Sequence, residues 1–326
     1  MYEPLPVPQQ LLDFIREGTK FIVAGHKEPD GDCVGSQLGL CSALTRLGKQ
    51  ALPCSAGPFK RIEVKPYEGC FTAAPSEEDR RGARIIVMDC SLEERTGDLG
   101  PLLEGLPVAV VDHHASENPW GEVVYLDPGA PSVTFMTLEL IEALGLTPTA
   151  EEAELLFFGL CTDTGFFRHV DDGGAETFIC ASRLVRGGAN PKKAFHAIHG
   201  GKSLNSRILM GRILSKARSY FDGKLILSRE DYEDTLAFGQ ESRDSDSLYQ
   251  LLQSVEGVAA IGIIRQETPE NCTLGLRSRD AVDVASVAAR FGGGGHKNAA
   301  GATVPGTIAE LEEKLLAAFR ELWSGE

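Results

Sequence analysis

The chain has 326 residues, 42% hydrophobic and 24% charged, with 36 glycines, a composition of folded globular proteins that excludes disorder and collagen. With 32 Lys and Arg against 47 Asp and Glu, its formal net charge is −15, the wrong sign for gripping long nucleic acid by its phosphates. The amino terminus lacks a basic stretch followed by an apolar core, and the densest apolar run, 155–161, is too short to span a bilayer, so neither signal peptide nor membrane anchor is expected. Eight cysteines without a C-x-x-C pair predict reduced thiols and a cytoplasmic location.

Short apolar segments rich in β-formers stand at 21–25, 51–54, 84–89, 107–112 and 123–127, with helical patterns at 34–48, 131–145, 150–162 and 174–187. This alternation predicts an α/β fold, a mainly parallel sheet with helices on both faces. His26 follows the first strand, and Asp89 and Asp112 close the third and fourth; in open α/β sheets this carboxyl rim is where ligands bind. A more basic, largely helical stretch at 190–221 predicts an inter-domain connection. Beyond it, strands at 224–228, 257–267 and 271–279 alternate with helices near 244–254, 283–291 and 307–323. The expected division is therefore a catalytic domain at 1–189, the connection at 190–221 and a smaller α/β domain at 222–326.

His26-Lys27-Glu28-Pro29-Asp30-Gly31-Asp32 places an imidazole and two carboxylates in one short loop, donors suited to a hard or borderline divalent ion such as Mn2+. Alone, the segment reads equally as a solvated turn in which Asp30 or Asp32 caps the next helix. Asp89 and Asp163 are also ambiguous singly, as a turn-starting and a helix-ending residue. Taken together with Asp112-His113-His114, they give His26, Asp30, Asp32, Asp89, His113 and Asp163, enough ligands for two metals if one carboxylate bridges. Their four carboxylates in one place would repel unless cations balance them. His114, not needed as a ligand, can contact a phosphoryl oxygen or protonate a leaving oxygen. Near the carboxyl end, four glycines at 292–295 precede His296, a run through which backbone N–H groups can approach an anion. Arg277 offers a bidentate fork for a phosphate, and Arg168 is a further candidate contact. His196 and His199 fit no motif.

The segment 26–32, strand-end Asp89, Asp112-His113-His114 and Cys161-Thr-Asp163-Thr-Gly-Phe-Phe167 match in order the amino-terminal motifs of the DHH phosphoesterase superfamily. Leu276-Arg277-Ser278 and Phe291-Gly-Gly-Gly-Gly-His296-Lys-Asn-Ala-Ala-Gly301 resemble its DHHA1 domain. Within the superfamily the chain is most similar to the nanoRNase and 3′-phosphoadenosine 5′-phosphate phosphatase group. The resemblance implies one metal on His26, Asp30 and Asp89 and a second on Asp32, Asp89, His113 and Asp163, both Mn2+. It further implies Asp112 orienting a neighbouring imidazole, His114 near the chemistry, and substrate held by Arg277, Ser278, Gly293, Gly294, Gly295, His296 and Arg168. The implied reaction is hydrolysis of short oligonucleotides or nucleotide phosphates, with no long nucleic acid or membrane as partner and at most a second copy of the chain in a homodimer. Two other readings are a linear or cyclic dinucleotide phosphodiesterase acting on pApA or cyclic di-AMP, and a nucleotide-sensing protein without catalysis. Family members often carry an Asn-rich turn where this chain has His169-Val170-Asp171-Asp172.

Overall fold

The computed structural model describes residues 2–116, 118–279 and 282–324. Contacts divide the chain into two compact units, 1–201 and 202–326. The first opens with α1 (Gln9–Glu17), then β1 (Lys20–Ala24), α2 (Gly31–Arg46) and β2 (Gln50–Cys54). Next come α3 (Glu77–Arg80), β3 (Arg84–Met88), α4 (Gly100–Leu103), β4 (Val108–Asp112) and β5 (Val123–Leu126). Helices α5 (Val133–Ala143), α6 (Ala150–Asp163), α7 (Ala175–Arg186) and α8 (Pro191–His199) complete it.

Its five strands are all parallel, in the order β2-β1-β3-β4-β5. Residues of β3 and β4 are buried on both sides, as expected for strands covered on both faces, which read as continuous Val/Ile runs. On one face Phe21, Val23, Ile86, Met88, Ala109 and Val111 pack with residues from α1, α2, α5 and α6. On the other, Ile22, Ile85, Val87 and Val110 pack with Leu99 and Leu103 around α4. Helix α1, which is not among the expected elements, buries Leu11, Leu12, Phe14 and Ile15.

Helices α2 and α6 approach closely because glycines line their contact. A Cβ at Gly35 would lie 2.5 Å from the Leu155 carbonyl oxygen, and one at Gly159 would lie 3.1 Å from the Asp32 Cα. Since Asp32 lies in the first turn of α2 and α6 ends at Asp163, this packing fixes the separation of two candidate ligands. Gly35→Ala forces a clash with backbone that no side-chain rotation relieves. It is expected to cost about 1–3 kcal/mol of stability and to lower divalent-ion affinity, read by thermal unfolding and calorimetric titration.

The second unit contains α9 (Leu204–Ser215), β6 (Arg218–Tyr220), β7 (Leu225–Glu230), α10 (Tyr232–Phe238) and α11 (Ser245–Gln253). It continues with β8 (Ala260–Thr268), β9 (Asn271–Ser278), α12 (Val284–Ala289), β10 (Gly294–His296), β11 (Ala299–Pro305) and α13 (Ile308–Ser324). Six strands in the order β10-β11-β9-β8-β7-β6 form a sheet in which β7 and β8 pair parallel and the other neighbours antiparallel. One face packs on α12 and α13, the other on α9 and α11. The stretch 190–221 is thus shared out: α8 buries Ala194 in the core of the first unit, whereas α9 buries Leu209, Met210 and Ile213 in the second. The last two glycines of the run, Gly294 and Gly295, open the edge strand β10. Gly295 adopts φ +144°, and a Cβ there would lie 2.5 Å from the Ala299 carbonyl oxygen, a close backbone pairing that only glycine permits. Among the described residues, no helix is long and apolar enough to cross a membrane.

Candidate metal centre

Each candidate ligand stands where a regular element ends. His26 lies two residues past β1. Asp30 is the N-cap of α2, its Oδ1 accepting from the N–H groups of Asp32 and Cys33, both at 3.1 Å. The capping expectation is met, and the same Oδ1 lies 3.8 Å from His26 Nε2, so the cap still leaves the carboxylate facing His26. Asp89 follows β3 with φ +57°, a left-handed conformation that Asp tolerates better than most residues. His113 follows β4, and Asp163 ends α6. Gly165, Phe166 and Phe167 then take φ of +57°, +56° and +69°, an uncommon run for bulky side chains that turns the chain back just beyond Asp163.

The side chains converge. His26 Nε2 is 3.3 Å from Asp89 Oδ2; His113 Nε2 is 3.8 Å from Asp89 Oδ1 and 3.3 Å from Asp163 Oδ2. Donor atoms of His26, Cys33 and Asp89 lie within 4.8 Å of one another, as do those of Asp89, His113 and His114 and those of Asp32, His113 and Asp163. Asp89 thus belongs to two of these groups, and His113 links the second to the third.

Protons are assigned by the backbone. His26 Nδ1 is 2.8 Å from the Lys27 carbonyl and His113 Nδ1 is 3.1 Å from the Ala130 carbonyl. A carbonyl only accepts, so each Nδ1 is the donor and each Nε2 is left facing the carboxylates. Asp89 Oδ1 is buried without a hydrogen-bond partner. Carboxylates crowded in a dry site call for positive charge between them, and oxygen and imidazole donors suit a divalent cation. Without a cation, protons supply part of that charge. Burial, then repulsion from Asp89 and Asp163, pushes the Asp32 carboxyl well above its ordinary range. Burial raises Asp89 as well, against the opposing pull of His26, and raises Asp163 to about 6. Burial opposes a charge on His26, yet Cys33, Asp30 and Asp89 hold its pKa above the usual imidazole value.

Asp32 has a second task. It is fully buried, and its carboxylate accepts from Val133 N at 2.6 Å, Thr134 N at 2.8 Å and Thr134 Oγ1 at 2.6 Å, satisfying the first turn of α5. Asp112 does not face a metal seat. Its Oδ1 accepts from the backbone N–H of His113 at 2.8 Å and of His114 at 3.1 Å, and from His114 Nδ1 at 2.8 Å. The imidazole it orients is therefore that of His114, whose pKa it raises, leaving Nε2 available. Cys33, which sequence reasoning passed over, is fully buried beside His26 and Asp89; its position directly after Asp32 in the first turn of α2 was the available signal.

The remaining candidates are placed elsewhere. Arg168 is exposed, with Nη2 3.1 Å from His169 Nε2. On the second unit, Arg277 and His296 both pair in register with Ala299 of the intervening strand, so the two share a face with a small residue between them. The Arg277 guanidinium lies over the Tyr249 ring at 4.7 Å, and its Nη1 donates to the Leu276 carbonyl at 2.9 Å. The Ser278 hydroxyl is engaged internally, donating to the Val282 carbonyl at 2.7 Å. Gly293 is walled in by the Gly301 carbonyl, 2.1 Å from where its Cβ would be, whereas Gly294 faces open space.

A parallel α/β unit with carboxylates and imidazoles gathered at its strand ends, joined to a mixed-sheet unit, has the plan of a metal-assisted phosphoester hydrolase. The chain belongs to the DHH family: the DHH family N-terminal domain matches residues 20–160 and the DHHA1 domain residues 233–325. It is 33% identical to the bifunctional oligoribonuclease and PAP phosphatase NrnA of Thermus thermophilus, over 92% of this chain and 89% of that one. Identity to NrnA of Bacillus subtilis is 26%, over 87% and 88%. The cyclic-di-AMP phosphodiesterase PdeA of Listeria monocytogenes is 28% identical over 98% of this chain but only 50% of its own length. In fold, the chain is similar to an exopolyphosphatase-related protein from Bacteroides fragilis, with a TM-score of 0.79 at 23% identity, covering 96% of this chain and 95% of the other.

Proposed function

We propose that this protein hydrolyses short oligonucleotides, and 3′-phosphoadenosine 5′-phosphate, at a centre of two divalent cations, with Mn2+ as the working ion. The observation that carries the reading is Asp89, a buried carboxylate with one unpartnered oxygen common to two groups of donor atoms. In this assignment His26, Asp30 and Asp89 hold one ion, and Asp32, Asp89, His113 and Asp163 the other. When bound, such a pair supplies Lewis-acid chemistry, neutralising phosphate charge and lowering the pKa of water. His114, tethered at Nδ1 by Asp112, presents Nε2 to donate a proton to the leaving oxygen. Arg277 and His296, sharing a face on either side of Ala299, bind a terminal phosphate. The Gly294–Gly295 backbone adds N–H donors at the same edge, with Arg168 as an outlying contact.

Relatives named for oligoribonuclease and PAP phosphatase activity align over nearly their whole length, whereas the cyclic-di-AMP phosphodiesterase aligns over half of its own; this favours the first substrate class. The net charge of −15 disfavours long strands. Eight free thiols suit a reducing, cytoplasmic compartment.

The test is turnover of oligonucleotides from two to about twenty nucleotides, beside 3′-phosphoadenosine 5′-phosphate, pApA and cyclic di-AMP, with Mn2+ present. Dinucleotides and trinucleotides are expected to turn over fastest. Equal rates on a long strand would overturn the short-substrate reading, and exclusive action on cyclic di-AMP would favour the dinucleotide phosphodiesterase. In the same panel Arg277→Ala is expected to raise KM about 10- to 100-fold with a smaller change in kcat, because it removes binding rather than chemistry.

A further inference from the structure

We propose that Cys33 is a further ligand of the ion seat formed by His26 and Asp89, raising the affinity of that seat for thiophilic divalent ions such as Zn2+ or Co2+ relative to the working ion Mn2+. The inference rests on the reading of this site as a divalent-metal centre and adds a sulfur donor to it.

Donor atoms of His26, Cys33 and Asp89 lie within 4.8 Å of one another, and none of the three residues is more than 8% exposed. Asp89, 2% exposed, turns Oδ2 to His26 Nε2 at 3.3 Å, while its Oδ1, buried without a hydrogen-bond partner, lies on the side of His113; a dry carboxylate satisfied this little marks a place built for a cation. The direction of the sulfur is also built. Gln37 Nε2 donates to the Val23 and Cys54 carbonyls at 3.0 and 2.9 Å, which turns its Oε1 toward the Cys33 thiol at 3.4 Å. Gly25 makes room, since a Cβ there would lie 2.3 Å from Cys33 Sγ. The sulfur therefore rests against bare backbone immediately before His26. Asp30, by contrast, already spends Oδ1 on two backbone N–H groups of α2.

Imidazole, thiolate and carboxylate together form a softer donor set than imidazole and carboxylates alone, and thiolate favours Zn2+ and Co2+ over Mn2+. On binding, a sulfur–metal bond forms with both electrons from sulfur, the S–H bond breaks, and its proton passes to solvent. No oxidation state changes.

The test uses the full chain stripped with chelator, titrated with Co2+ while near-ultraviolet absorbance is recorded, and with Zn2+ and Mn2+ in calorimetric competition. Wild type is expected to develop a thiolate-to-cobalt charge-transfer band. Cys90→Ser keeps the band, because that thiol donates to the Leu92 carbonyl at 3.1 Å instead. Cys33→Ser and Cys33→Ala lose it, and their selectivity for Zn2+ over Mn2+ falls about tenfold or more. Co2+ and Mn2+ binding to wild type without the band, or a band that survives in both Cys33 variants, overturns the role of Cys33 and leaves the metal centre standing. Failure of wild type to bind any of the three ions overturns both.

Discussion

Asp89→Asn is expected to abolish hydrolysis, lowering kcat by about 1,000-fold or more, while leaving the metal-free protein at least as stable as wild type. The two effects have one electrostatic origin. Asp89 is buried with Oδ1 unpartnered, and burial holds its carboxyl above the ordinary range. A carboxyl whose pKa is raised by folding weakens the fold as pH climbs through the raised value, so at neutral pH its charge is a net cost. Asn removes that charge, keeps the shape, and tolerates the φ of +57°. It also replaces the carboxylate shared by the two groups of donors, whose Oδ2 faces His26 and Oδ1 faces His113, so divalent-ion affinity collapses. Thermal unfolding in chelator, paired with calorimetric Mn2+ titration, separates the outcomes. Wild-type turnover would refute the bridging assignment; a large loss of metal-free stability would recast Asp89 as a structural residue.

Asp32→Ala gives the opposite stability result with the same loss of activity. Its carboxylate also suffers burial and the repulsion of Asp89 and Asp163, but it satisfies three donors at the start of α5. Without it, two backbone N–H groups are left unpaired in a dry interior, each at about 1–3 kcal/mol, while the Thr134 hydroxyl keeps Ser132 Oγ at 2.8 Å. Relief of repulsion offsets part of this, for a net loss of about 2–4 kcal/mol. Asp32→Asn, keeping one acceptor but turning an NH2 group toward donors, falls between. Denaturant unfolding of the metal-free variants measures it. If Asp32→Ala proves as stable as wild type, the capping of α5 contributes nothing.

The contrast between these two aspartates marks where sequence reading stops. Both are plain in the motifs, Asp89 as an acidic residue closing a strand and Asp32 as a carboxylate of the short loop that follows one. That one is unpartnered and the other caps a helix 101 residues later depends on a contact between distant segments. Cys33 was passed over for the same reason. A cysteine in the first turn of a helix reads as packing until the fold sets it beside His26 and Asp89. Ser278 shows the reverse, a motif residue whose hydroxyl proves to be engaged with Val282.

The sequence alone determined the five strand segments of a mainly parallel sheet, a smaller α/β second unit and the identity of the six candidate residues that meet at the rim. These follow from local rules: apolar runs set by a two-sided sheet, polar residues where strands end, glycine where backbones crowd. Tertiary structure alone decided which imidazole Asp112 holds, that Asp32 serves a helix as well as the site, and that 190–221 divides between two cores. It also decided that the glycine run extends a sheet. Each of those outcomes depends on hydrogen bonds and packing between segments far apart in the chain, for which periodicity and spacing carry no signal.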